Sequence, residues 1–421
     1  MPFPSSPTRL LVEVGETNKG GAMIFSSATK NPIKIVSKTK PPLTICMVTD
    51  DFLPAKTGVG VHVQKIVQEL ARRGHRVIVL TSRRPGQPDH ETWNGALIHR
   101  FFSIPAAGFY QALPLRSTIA GILGENRVDL VHFHYLGFMM LNVMRVARSL
   151  HLPTVYTAHM TVDALTQPLF MKPFHRPLLW GYQWLMNRVD HIVCVSQQQR
   201  KEFKTCSAQT LSISNPIDFR GDEAVDSPQT GRFRILYVGR LEPKKNVRYL
   251  VSAFQILAAR KTAIELTIAG VGTEEEKLHR QVQRAGLSGK VTFLGHVPHD
   301  RLPALYAACE VFVLPFILET QGMVVLEAMR FRRPVIVTNK NLTAHELVEP
   351  GTNGFIVDPK SALDLADKLA YLYDNPARRK QMGEAGFTRI PFDTSETVAE
   401  KLETLYARVR GNTVRSSSSN R

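Results

Sequence analysis

The residues best suited to chemistry gather in one stretch, VFVLPFILETQGMVVLEAMRFRRPVIVTN, from Val311 to Asn339. Pro315 ends a β-branched run, and a helical pattern starts near Gly322. Glu319 precedes that helix and Glu327 lies within it, with seven residues between them. A glycine at the helix start lets a ligand reach the first free backbone N–H groups, where a phosphate or oxyanion gains from the helix dipole. Carboxylates flanking the turn could accept hydrogen bonds from sugar or ribose hydroxyls. Equally, Glu319 could cap the helix and Glu327 sit on a solvated face; spacing leaves both open. Asp50-Asp51 has the look of a metal-binding pair but closes a strand without further ligands. His132 and His134 alternate on one strand face, yet no carboxylate or cysteine completes a site at readable spacing, so they read as structural. The glycine-rich segment TGVGVHV around Gly58 is not a P-loop, because no GxxxxGK[ST] exists.

These residues must be held by regular elements, and the patterning supplies them. Short β-branched runs at 43–50, 76–82, 97–101, 129–134, 153–159 and 191–196 alternate with helical patterns. One such pattern is VHVQKIVQELARRG, where Val63, Ile66, Val67 and Leu70 share a face and Gly74 stops the turn. The second half repeats the theme at 234–239, 265–270, 291–295, 311–315, 334–338 and 354–358. Alternation of this kind predicts α/β architecture: two Rossmann-like, doubly wound domains with parallel sheets covered on both faces, facing a cleft. The expected boundaries are a mobile extension over 1–40, a first domain over 41–215, a linker over 216–231 and a second domain over 232–390. A helix over 391–410 and a disordered tail over 411–421 complete the chain. Four cysteines without a CxxC pair argue against a zinc framework and for a reducing compartment. No stretch approaches a membrane span, and the N-terminus does not read as a secretory signal.

The pieces ETQGMVVLEAM, VGRLEPKKNV (238–247), AGVG (269–272), VTFLGHVPHDRLPALYAACEVFVLP, HELVEPGTNGFIVDP, TAH (157–159) and TGVGVHV (57–63) stand in an order that resembles retaining glycosyltransferases of the GT-B fold. The resemblance is to family four of that classification, with its Glu-x7-Glu signature, and runs from about residue 43 to 390. It implies that Arg240 and Lys245 grip a donor diphosphate and neutralise the charge that grows as the nucleoside diphosphate leaves. It implies that Glu327 holds the donor ribose, that Glu319 helps position the sugar, and that His159 contacts the sugar from the first domain. Backbone at Gly322, Met323 and Val324 would meet the sugar and phosphates, and Gly295, His296 and Val297 would face the base. Gly58 would let donor and acceptor come close, although the family's Gly-Gly pair is Thr57-Gly58 here. The implied reaction moves a hexose from a nucleotide diphosphate sugar to an acceptor hydroxyl with retention. The donor enters as a co-substrate, with no other cofactor and no metal expected.

The acceptor is read from charge. The chain carries 53 Lys and Arg against 36 Asp and Glu, net +17, and +12 of that falls in residues 1–220. Such an excess expects an anionic partner. The stretch PLFMKPFHRPLLWGYQWLMNR (168–188) mixes basic and aromatic side chains, and FFSIPAAGFYQALPLR (101–116) reads as an apolar loop ending in Arg116. Both suit an anionic membrane surface. ETQGM further resembles the version in bacterial glycolipid-forming members. The expectation is therefore a lipid acceptor of diacylglycerol or phosphoinositide type, met in the cytoplasm at the inner membrane face. Alternatives are a transferase acting on a soluble saccharide or small metabolite, and a nucleotide-sugar epimerase or a phosphorylase on the same fold. No nucleic-acid motif is present, and nucleic acid is not expected as a partner.

Overall fold

The computed structural model describes residues 41–54, 57–106, 109–159, 175–219, 231–317, 322–339, 344–389 and 393–418. The expectations placed on 1–40, on most of the 216–231 linker, on Glu319 and on residues 168–174 of the basic, aromatic stretch lie outside these residues. Pro42–Arg421 form one unit built around two sheets.

The first sheet holds β1 (Thr44–Val48), β2 (Arg76–Ser82), β3 (His90–Trp93), β4 (Ala96–Phe101), β7 (Leu130–Phe133), β8 (Thr154–Ala158), β9 (His191–Cys194) and β10 (Gln209–Ser212). Their order is β10-β9-β8-β7-β1-β2-β4-β3, parallel throughout except where β3 runs antiparallel to β4 at the edge. Period-2 alternation sends Ile45 and Met47 to one face and Cys46 and Val48 to the other. Helices Arg116–Glu125 and Phe138–Ser149 cover the Cys46 face; Gly58–Arg72 and the C-terminal helix Ser395–Ser418 cover the Ile45 face. Thr57 caps Gly58–Arg72 by accepting the Gly60 N–H at 3.1 Å. The 101–116 segment, read as a loop from sequence, contains instead a hairpin of β5 (Ser103–Ala106) and β6 (Phe109–Ala112). Its apolar residues lack the alternation that marks a half-buried strand, because the hairpin lies outside the main sheet.

The second sheet, wholly parallel, holds β11 (Phe233–Val238), β12 (Ile264–Ala269), β13 (Val291–Gly295), β14 (Val311–Leu314), β15 (Val335–Thr338) and β16 (Gly354–Val357) in the order β13-β12-β11-β14-β15-β16. Both sheets thus reverse direction beside their first strand, between β1 and β7 and between β11 and β14. Those are the crevices where doubly wound sheets take ligands, beyond the carboxyl ends of the strands.

The chain crosses between the sheets twice, and Asp218 ties the crossings together. It accepts the Ser395 N–H at 2.7 Å and the Ser395 hydroxyl at 2.8 Å, and pairs with Lys65 at 3.0 Å. After the second crossing, Val398, Leu402, Leu405, Tyr406 and Val409 join the core beneath the first sheet. Glu403 anchors the helix: Arg73 donates to it at 2.6 and 3.2 Å. His75 accepts the Leu43 N–H at Nδ1 and donates from Nε2 to Glu403 at 3.0 Å. Burial works against the Glu403 carboxylate, but its bonds to Arg73 and His75 prevail and hold it below the usual glutamate range. A lowered carboxylate contributes stability above its unfolded value and loses it as pH falls through the folded one. Glu403→Gln should therefore cost about 1–3 kcal/mol at pH 7, with the gap to wild type narrowing below about pH 4. Urea unfolding at both pH values checks this; a gap that does not change with pH would deny the charge its role.

Candidate active site

At the second sheet's crevice, the loops after β11, β12 and β13 lie against one another. Gly270 (φ 147°) packs so tightly that an added Cβ would fall 1.9 Å from the Gly239 carbonyl oxygen, and its N–H donates to Gly295 at 2.7 Å. Only glycine fits there. Beyond Gly239 the chain runs through Arg240 to a short 3-10 turn, Pro243–Lys245. Arg240 is exposed and paired with Glu242 at 2.5 Å. The Lys245 ammonium lies 3.4 Å from the centre of the Phe316 ring, just past β14. Ile317 N–H donates to the Lys244 carbonyl at 3.2 Å, so the basic loop and the segment after β14 are tied across the crevice.

Gly322, in the left-handed region at φ 67°, then opens helix Met323–Arg330. Val325 N–H bonds back to the Gly322 carbonyl at 2.8 Å, and the N–H groups of Met323 and Val324 precede the first intrahelical acceptor. Glu327 is only 3% exposed. The Tyr306 hydroxyl donates to Oε2 at 2.7 Å, and His299 Nε2 stands 3.4 Å from Oε1, its ring stacked on Phe219 at 4.5 Å. Gly295 (φ 65°) begins the turn to exposed His296, while Val297 is half-buried against the core.

The first sheet brings a different chemistry to the cleft. His134 follows β7, His159 follows β8, and His62 is the fifth residue of Gly58–Arg72. His134 Nδ1 and His159 Nε2 are 3.2 Å apart, and the His62 and His159 ring centres are 4.8 Å apart. Burial lowers all three imidazoles, His159 to about 3, so they are neutral at physiological pH. Neutral rings of this kind orient hydroxyls; they are too weakly basic to act as general bases near pH 7. One ring nitrogen of each lies within 4.8 Å of the others, close enough for the three to turn toward a common ligand. Asp50 and Asp51 are already engaged: Asp50 accepts from Ser82 at 2.7 Å and Ala112 N–H at 3.1 Å, and Asp51 pairs with Arg84 at 2.7 Å. Burial lifts the Asp50 carboxyl to about 6.

The two halves meet at Gly58, where a Cβ would stand 3.8 Å from the Met323 sulfur. A second bridge is Glu346, whose carboxylate accepts the Gln197 and Gln198 N–H groups at 3.1 and 3.0 Å. The structure therefore gathers Arg240, Lys245, Gly322, Met323 and Val324 at one crevice, with Glu327 in the same helix, and sets Gly58 against them. His62, His299, Tyr306, Asp218 and Glu346 were missed by sequence reasoning. His62 had one signal, its place on the apolar face beside Val63, Ile66 and Val67.

Two doubly wound sheets with opposed crevices, joined by a double crossing, make the GT-B fold. Comparison with known families agrees: residues 220–389 match the model described as glycosyl transferases group 1, and residues 56–220 match glycosyltransferase family 4. The chain belongs to this glycosyltransferase family. It is similar to a glycogen synthase of Mycobacterium tuberculosis (28% identical, covering 86% of this chain and 94% of that one). It is similar also to a D-inositol 3-phosphate glycosyltransferase of an Arthrobacter species (28%, covering 84% and 90%). An alpha-monoglucosyldiacylglycerol synthase of Streptococcus pneumoniae is 22% identical, covering 70% of each chain. Among solved structures, sucrose-phosphate synthase of Thermosynechococcus elongatus superposes with a TM-score of 0.72 at 21% identity, covering 88% of this chain and 100% of that one. The Anabaena HepE protein in complex with UDP-glucose gives 0.68 at 21%, covering 87% and 100%.

The Gly239–Gly270 approach is testable without a ligand. Gly270→Ala should lower stability by about 3 kcal/mol or more, read as a shift in the urea midpoint; an unchanged midpoint would mean that the two loops do not meet.

Proposed function

We propose that this glycosyltransferase moves a hexose from a nucleoside diphosphate sugar to an acceptor hydroxyl with retention, and needs no metal ion to do so. The observation that carries the proposal is the loop holding Arg240 and Lys245, tied through Lys244 and Ile317 to the segment that leads into the Gly322 helix start. A diphosphate seated there would meet the Arg240 and Lys245 cations, drawn from Glu242 and Phe316, and the backbone N–H groups at the helix start, which together would stabilise the oxygen that gains charge as the bond to the sugar breaks. The anomeric carbon loses its bond to phosphate and gains one to the acceptor oxygen on the same face. The acceptor's proton passes to the departing phosphate oxygen. Glu319 and His159 hold the sugar, Glu327 the ribose, and the backbone from Gly295 to Val297 the base. His299 and Tyr306, which already hold Glu327, orient its carboxylate. The donor reading draws support from the superposition on a neighbour that holds UDP-glucose.

For the acceptor we favour a lipid hydroxyl at an anionic membrane face. Phe102, Leu115 and Phe138 stand exposed around the β5–β6 hairpin beside Arg116, and Trp180 is 69% exposed next to Arg176. Exposed apolar side chains with an arginine beside them suit the headgroup boundary. No described helix is long and apolar enough to cross a membrane, so contact would be peripheral. The second reading is a phosphorylated polyol or a saccharide, favoured by relatives that match more of the chain than the lipid-active one does.

A panel of UDP-, GDP- and ADP-sugars, with and without anionic vesicles carrying diacylglycerol or phosphoinositide, separates these readings. Turnover of one donor only with vesicles is expected. Turnover with inositol phosphate or a glucan and no vesicle would move the acceptor into solution, and no turnover of any donor would sink the transferase proposal. In Glu327→Gln, which keeps an acceptor oxygen for the buried Tyr306 hydroxyl, nucleoside diphosphate affinity should fall about tenfold or more while the chain stays folded. Wild-type affinity in calorimetry would remove Glu327 from the ribose site.

A further inference from the structure

Tyr406 rides on the returning helix, yet its phenol reaches through the core to the first sheet. Its hydroxyl stands 2.7 Å from His132 Nδ1, and His132 Nε2 stands 2.7 Å from Thr157 Oγ1. Neither Tyr406 nor His132 has measurable solvent exposure. Burial, helped by the neighbouring His159, pushes the His132 imidazole down to about 3, and burial raises the Tyr406 phenol. At neutral pH the ring therefore carries a single proton and the phenol keeps its own. A phenol is a far stronger acid than an alkyl hydroxyl, so Tyr406 donates to Nδ1 and the Nε2–H donates to Thr157. Of the two tautomers open to a neutral imidazole, this pair of contacts selects one.

The consequence extends into the cleft. The His132 ring lies against His134 with centroids 4.1 Å apart and planes tilted by 37°. His134 in turn bonds to His159, and Thr157, gripped by His132, precedes His159 by two positions on the strand-to-loop segment. We propose that Tyr406 is a positioning residue, which holds His132 in its Nε2–H form and so fixes how His134 and His159 are presented to the cleft. The phenol acts through packing and hydrogen bonds only; no bond to substrate is made. Because Tyr406 follows the second crossing, the histidine geometry also depends on the helix being seated. The functional half of the inference rests on the reading of His159 as a sugar contact.

The test uses ring-nitrogen NMR of histidine-labelled full chain, with His132→Gln to assign the signals. In wild type, His132 should show an acceptor Nδ1 and a protonated Nε2. In Tyr406→Phe these signals should move toward the other tautomer or a mixture, and those of His134 and His159 should shift with them. With the donor that the panel finds active, kcat should fall about tenfold while the donor KM stays within about twofold. Leu402→Ala, buried in the same helix, removes packing but no hydroxyl, and should leave the His132 tautomer alone. His132 signals unmoved in Tyr406→Phe, or moved as far in Leu402→Ala, would overturn the proposal. Wild-type turnover in His159→Ala would overturn the sugar-contact reading separately, leaving the Tyr406–His132 link to stand or fall on the spectra.

Discussion

The architecture depends on burying one apolar helix stripe. Val398, Leu402, Leu405, Tyr406 and Val409 would be exposed if the chain ended beside the second sheet; instead they fill the face of the first sheet beneath Ile45, Met47 and Val77. At roughly 1.5–3 kcal/mol for each large apolar side chain removed from water, the gain outweighs what surface ion pairs could offer. That burial obliges the chain to cross between the sheets a second time, and the two crossings, joined at Asp218, hold the two crevices face to face. The cleft is a by-product of where a hydrophobic stripe finds cover.

Within that cleft the two sheets contribute different physics. The second supplies charge: exposed Arg240 and half-buried Lys245 stand on a loop bonded through Lys244 to Ile317, past the end of β14. The first supplies shape without charge. His62, His134 and His159 are desolvated and neutral, and add no positive field of their own. Division of this kind lets a site stabilise a leaving group strongly on one side while orienting hydroxyls on the other. Glu327 stands between these regimes, a buried carboxylate held by Tyr306 and His299.

The basic surplus fits the same frame. Several of the exposed apolar residues of the first half, Leu115 and Phe138 among them, cluster near the β5–β6 hairpin, away from the sheet cores. They explain why the acceptor question turns on this domain. Donor features are written into loops at strand ends, whereas an acceptor surface is written into whichever side chains the folded chain leaves uncovered.

The sequence by itself determined the element types, the doubly wound class and the family, because period-2 and period-3.6 patterning and motif order are written along the chain. Gly322, at a left-handed φ, favours glycine for a local reason, whereas Gly270 requires it because the Gly239 carbonyl packs against it. The edge strands β3 and β10 and the β5–β6 hairpin were not legible, since short polar or non-alternating segments become strands only when a neighbouring edge is present to pair with. Only the tertiary structure decided which distant side chains meet. Tyr306 and Glu327 are 21 positions apart, Gln197 and Glu346 are 149, and His132 and Tyr406 are 274. Such contacts leave no local trace, because each partner alone reads as an ordinary helical or strand residue. The bond between them arises only when hydrophobic burial brings their elements together.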